Sequence, residues 1–293
     1  MTADATESAP VTGEAPDLGA RVAGLVREKR GAEAVALLRE AGDAVPTEAW
    51  LDLADLLWRQ EDHPGAEPAY QQVLARVPRH DTALIRLSTY HQWRGDLEGA
   101  KAFLRGDGIA PLTGPVAARL GHLLLHSGEH VNAEAVLRFA VSRPDAPASA
   151  WRDLSETLHA SGRRPEAMAV ARTAHGRMPE DPEIQAWLGS LLLDVGEAVL
   201  AAEHLGKALA TGAAPPFARI RHAEALSRSG RKAESVAEAR RTLDEPPVAP
   251  PVRALVGYLL IQGDEVAEGE TLLIEAIEAD PDNPGLRLLH SAA

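Results

Sequence analysis

His122 and His126 form the first pattern in this sequence that could do chemistry. Four residues apart on a helix, their rings point the same way, and a His-x3-His pair with a third donor can hold a divalent metal. The stronger H-E-x-x-H form, which brings its own general base, is absent. So are the phosphate loop G-x4-G-K-S/T and the G-x-S-x-G nucleophile elbow. Gly106-Asp107-Gly108 lacks the strand–turn–helix setting of a nucleotide site, and Ser127 beside His126 has no visible orienting acid. There is no cysteine, which removes disulfides, thiolate metal sites and cysteine nucleophiles. The expectation is a protein that is not an enzyme and carries no cofactor and no metal.

The elements that must position any such residues are helices. Hydrophobic residues make up 45% of the 293-residue chain but aromatics only 4%, so the apolar fraction is largely alanine and leucine, both good helix formers. The formal charge of −13 argues against non-specific nucleic-acid binding, which needs basic charge to displace counterions. The opening MTADATESAPVTGEAP has acids, no lysine or arginine and no apolar core, unlike a secretory signal. No run of 18 apolar residues could span a membrane. These features predict a cytoplasmic protein, and the richness in alanine and arginine points to a bacterium.

Periodicity then organises nearly the whole chain. Trp151, Leu154, Ser155 and Leu158 recur at helical spacing, Gly162 ends that helix, and Ala167, Ala171 and Ala174 line a second one that Pro179 stops. The same order returns throughout. Its small residue falls at Ala54, Ser88, Gly121, Ser155, Gly189, Ala223 and Gly257, at intervals of 34, 33, 34, 34, 34 and 34 residues. This order resembles the tetratricopeptide repeat, a 34-residue helix–turn–helix, and about eight copies run from Asp17 to Pro281. A degenerate first copy has Gly19 and Gly24 inside its helix.

The resemblance implies an all-α fold: a right-handed α-solenoid superhelix of antiparallel helix–turn–helix units whose first helices line a concave groove. Residues 1–15 are expected to be a disordered tail, 16–282 the solenoid and 283–293 a capping segment. Leu286 and Leu289 would share a face there and cover the last apolar surface, with Leu288 beside them. Gly106, Gly108 and Pro111 should end the second helix of the third repeat early.

The resemblance also implies which side chains face the groove. These are Trp58 and Arg59 in the second repeat, Gln92 and Trp93 in the third, His122 and His126 in the fourth, and Arg152, Glu156 and His159 in the fifth. Trp58 and Trp93 stand where the repeat needs no large core residue, unlike Trp50 and Trp151, and exposed aromatics are enriched at binding hot spots. Replacing either by alanine is expected to abolish partner binding with little change in stability. The lysine–asparagine–arginine clamp that some family members use for chaperone tails is missing. The seventh repeat is locally basic, at Arg219, Arg221, Arg228, Arg231, Lys232, Arg240 and Arg241. Charge of this kind ordinarily faces solvent; a docking patch for an acidic partner is the other reading.

The function expected is therefore a scaffold or adaptor that takes a peptide or partner protein in the groove. The alternative is a small-ligand or metal-binding groove, with or without catalysis, built by the second to fifth repeats. There His122, His126 and His159, with Glu156, would converge. Self-association through the groove or an uncovered end is a third option.

Overall fold

The computed structural model describes residues 18–42, 45–105, 112–244 and 248–292. The expected tail at 1–15 and the Gly106–Pro111 stretch lie outside them. The described residues form seventeen α-helices and no strand. Two compact units are present, residues 1–123 and 124–293, and the division falls within α7 (Gly114–His126). The first unit holds the pairs α1 (Leu18–Arg27) and α2 (Gly31–Glu40), α3 (Thr47–Arg59) and α4 (His63–Arg76), and α5 (Asp81–Trp93) and α6 (Leu97–Arg105). The second holds α8 (His130–Ser142), then α9 (Ala148–Ala160) with α10 (Arg164–Arg177) and α11 (Pro182–Asp194) with α12 (Ala198–Ala210). It continues with α13 (Phe217–Arg228) and α14 (Lys232–Leu243), α15 (Pro250–Gln262) and α16 (Val266–Ala279), and a last helix, α17 (Pro284–Ala292).

Each pair turns back on itself in the same way. The residue two past the first helix has a positive φ, and the next backbone N–H reaches back to the carbonyl five residues earlier. Arg163 N donates to Leu158 O at 2.9 Å, and Asp96 N to His91 O at 2.9 Å. This closure satisfies a carbonyl that the helix end leaves open. Glycine fills the turn at Gly95, Gly128, Gly162, Gly196 and Gly230, but Lys29, Glu61 and Asp264 hold the same conformation with side chains attached. Asp62 and Asp96 then cap the second helix, accepting from Gly65 N at 3.0 Å and Gly99 N at 2.8 Å.

The small residues of the 34-residue register mark where the two helices of a pair cross. Each faces a second small residue twelve positions on. Ser155 Oγ donates to Ala167 O at 2.8 Å, and in reverse Ser235 Oγ donates to Ala223 O at 2.7 Å. Ala54 and Ala66 are fully buried, as are Ser88 and Ala100. The closest approach is Gly257 against Gly269. A Cβ on Gly257 would sit 2.7 Å from Gly269 O, too near for any real side chain.

Leucines and aromatics fill the space between successive pairs. Trp50, Leu53, Leu57, Tyr70 and Val73 lie in the core of the first unit, and Leu188, Leu192, Leu205 and Leu226 in that of the second. Trp50 and Trp151 are each covered by an arginine from the second helix of their own pair. Arg76 Cζ lies 5.7 Å from the Trp50 ring and Arg177 Cζ 4.8 Å from Trp151. At the end of the second unit, Leu286 of α17 is 1% exposed among Ala254, Leu273 and Ala276, with Leu289 half-buried beside it. Leu288 points away and is 69% exposed. The apolar face of α15 and α16 is thus covered by the chain's own last helix.

Candidate functional site

The first-helix face of the first unit carries a group of aromatic rings. Trp58 comes from the last turn of α3, and Trp93 is the last residue of α5, one repeat later. Their rings stack with centroids 5.5 Å apart and planes 24° from parallel. His63, which opens α4, contacts both, at 4.5 Å from Trp58 and 4.9 Å from Trp93. Tyr70 meets Trp58 edge-on at 6.0 Å, and the Arg86 guanidinium lies 4.9 Å from the Trp58 ring. Arg86 precedes Trp93 by seven residues, two helical turns, so both emerge from one face of α5.

The two tryptophans are not equivalent. Trp93 is 59% exposed, the condition expected of a contact residue. Trp58 is 9% exposed and belongs to the core of the first unit, a correction to its expected exposure. The cause is its neighbours: His63, Tyr70 and Trp93 close over a ring that the repeat pattern alone leaves in the open. Tyr70 is held in turn, donating its hydroxyl proton to Asp55 Oδ1 at 2.6 Å. Burial, and then that bond, push the Tyr70 hydroxyl pKa well above its ordinary value. Trp93 is therefore an exposed plate on a fixed base.

Arginines follow both tryptophans in the chain. Arg59 ends α3 beside Trp58, with its Nε donating to Asp55 O at 3.2 Å. Arg94 follows Trp93 and lies over Tyr90 at 5.5 Å. Gln92 is held from α7, since Arg119 donates to its Oε1 at 2.6 Å and to Ser88 Oγ at 3.2 Å. Sequence reasoning missed His63 and Arg86. The seven-residue step from Arg86 to Trp93 was a readable signal; the approach of His63 across two helices was not.

The remaining expected residues lie on α7 and α9. His122 is half-buried and His126 exposed on α7. In the second unit Arg152 pairs with Glu183 and, at 2.5 Å, with Asp153, which is 1% exposed. That corrects its reading as an open contact: its charge is spent internally. His159 Nε2 lies 3.6 Å from Asp194 Oδ2, while Glu156 is half-buried on the same helix. Asp194 also pairs with Arg221, which bonds Glu224, and Glu224 receives Arg228. The basic seventh repeat is neutralised throughout. Arg219 and Arg241 pair with Glu238, Arg231 with Glu234, Lys232 with Asp264, and Arg240 with Glu265 and Glu268.

Among the described residues no group of three or more His, Asp or Glu is placed to hold a metal ion. A cleft of about 440 Å³ between α4, α5 and α6 is lined by Leu74, Pro78, Leu84, Gly99, Ala102 and Phe103. No charged or hydroxyl side chain lines it to orient a small ligand. No helix among the described residues is long and apolar enough to cross a membrane.

Comparison with known proteins agrees with this architecture. The tetratricopeptide repeat family model matches residues 51–111, which span α3 to α6. The Cut9–Hcn1 hetero-tetramer of APC/C contains a chain that superposes on 94% of this one, with a TM-score of 0.71 and 13% identity. The present chain spans only 55% of its length. The pilF protein of Pseudomonas aeruginosa matches 73% of this chain and 97% of its own, with a TM-score of 0.60 and 18% identity. A tetratricopeptide repeat protein from Parabacteroides merdae matches 94% and 96%, at 0.51 and 14%. Comparison with curated proteins gives no match. Residues 51–111 thus match the tetratricopeptide repeat, and the helix pairs that recur along the described residues give the chain the fold of tetratricopeptide-repeat proteins. The fold is one that generally mediates protein–protein interaction, and its members are typically scaffolds without enzymatic activity.

Proposed function

We propose that the protein is an adaptor, cytoplasmic and bacterial, that binds a peptide or partner protein on the face made by its first helices, with Trp93 as the anchor. The observation that carries this reading is a 59% exposed tryptophan stacked at 5.5 Å on a buried one. A large aromatic ring left in water on a rigid base offers apolar area to a partner at little ordering cost, which is why tryptophan and arginine dominate binding hot spots. Trp58 and His63 set the plate; Gln92 and Arg59 border it. His122, on α7 of the first unit, is assigned a lesser contact; His126, Glu156 and His159 are assigned contacts within the second unit, where Arg152 acts through the fold.

The test is capture from the native cell lysate with wild type and Trp93→Ala side by side, followed by mass spectrometry. A protein retained by wild type and lost with the variant supports the adaptor. Identical capture by both would remove Trp93 from the site and end this reading.

A further inference from the structure

Arginine on the first-helix face is treated differently in the two units. In the second, Arg152, Arg221 and Arg228 each lie against a carboxylate of their own unit. In the first, Arg59, Arg86 and Arg94 have no carboxylate within 4 Å among the described residues, and all three are exposed. Acids are nearby but engaged. Asp55 accepts from Tyr70, whose hydroxyl Arg86 also faces, Asp62 caps α4, and Asp96 bonds His91 Nδ1 and Gly99 N, which with the weaker pull of the nearby Arg94 charge hold its carboxyl below the usual range. The adjoining α3–α4 turn adds one exposed acid, Glu61, against the three arginines. The chain as a whole carries −13, so three exposed arginines without a carboxylate partner, on or directly after the two helices that carry Trp58 and Trp93, run against its overall charge.

We infer that the partner presents an acidic–aromatic segment: one aromatic or bulky apolar side chain that stacks on Trp93, flanked by aspartate or glutamate that meets Arg59, Arg86 and Arg94. This rests on the adaptor reading and names the chemistry of its ligand. An unpaired guanidinium beside an aromatic plate gives such a segment two kinds of contact at once. The ring buries apolar area, and the carboxylates gain charge-assisted, bidentate hydrogen bonds that a neutral peptide cannot make. Basic segments are repelled by the same three charges, which therefore also select.

The experiment is selection from a random displayed peptide library against the full chain, followed by binding of the enriched peptides and of versions with Asp and Glu changed to Asn and Gln. Enriched peptides should carry acids beside an aromatic residue. Neutralising those acids should weaken binding roughly tenfold, and raising salt from about 50 to 500 mM should erase most of that difference. With Arg59→Gln/Arg86→Gln, acidic and neutralised peptides should bind alike. Arg86→Lys, which keeps the charge over Trp58, and Arg59→Gln alone, at the solvent end of α3, guard against a loss of fold; thermal melts are run on each. Neutral or basic peptides that are enriched and lost with Trp93→Ala would overturn the acidic segment and leave the adaptor standing. Peptides indifferent to Trp93→Ala, or no enrichment at all, would overturn both.

Discussion

Trp58 and Trp93 separate two jobs that one residue type can do. The buried ring of Trp58 packs against His63, Tyr70 and Arg86, and its loss would leave a cavity in the first unit. Trp58→Ala should cost about 3 kcal/mol, seen as a lower midpoint in urea unfolding. Trp93→Ala loses chiefly one stacking contact and should cost about 1 kcal/mol, while partner affinity falls roughly thirtyfold by calorimetric titration. Similar stability losses for the two variants would contradict this division. Arg152 makes the same point with charge. Truncating it to alanine removes a guanidinium from Asp153, which is 1% exposed, so Arg152→Ala should destabilise by on the order of 2 kcal/mol. Arg152→Ala with Asp153→Asn should recover part of that loss in the same unfolding assay.

Helix pairs are set by their turns and their crossings. The left-handed conformation costs a residue with a Cβ about 1 kcal/mol, and Glu61 stands in it at φ 63° where five other repeats use glycine. Glu61→Gly should therefore raise the melting temperature only slightly, the gain being about 0.5 kcal/mol or less once glycine's greater freedom in the unfolded chain is subtracted. The crossing of α15 and α16 is the opposite case. No room exists between Gly257 and Gly269, so Gly257→Ala forces the helices apart and should cost about 1–3 kcal/mol. Equal melting of that variant and wild type would show that the helices can separate without penalty. The register made Gly257 visible in the sequence; Gly269, twelve residues on, is identified as its partner by the packed helices.

At the scale of the whole molecule, acid should act through half-buried histidines of the second unit. Burial, and then the nearby His175, hold His204 below the ordinary histidine pKa, and burial does the same for His222. His204 Nδ1 is bonded to Gln185 Oε1 at 2.6 Å, whereas His222 Nδ1 is buried without a partner. Both are thus favoured neutral in the fold. The unfolded chain protonates first as pH falls below about 6.5, so stability present at neutral pH is lost between there and the lower folded values. The melting temperature should drop between pH 7.5 and 5.5, and His204→Gln/His222→Gln should flatten that slope. An unchanged slope in the double variant would assign the acid response elsewhere.

The fold was legible because a repeat writes its rules many times. The small residue every 34 positions, the leucines at helical spacing and the turn glycines each state a backbone or packing need that chemistry restricts to few residue types. The same logic placed Trp50 and Trp151 in the core and Trp93 in the open. It failed at Trp58 and Arg152. Burial of Trp58 depends on His63 and Tyr70 of its partner helix and Trp93 of the next repeat, and the pairing of Arg152 depends on Glu183, thirty-one residues away. No local pattern records those meetings. Periodicity tells which face of a helix a residue occupies, but the neighbour that covers it or neutralises it is supplied by another helix, and so only the packed chain reveals which charges and which rings remain free to bind.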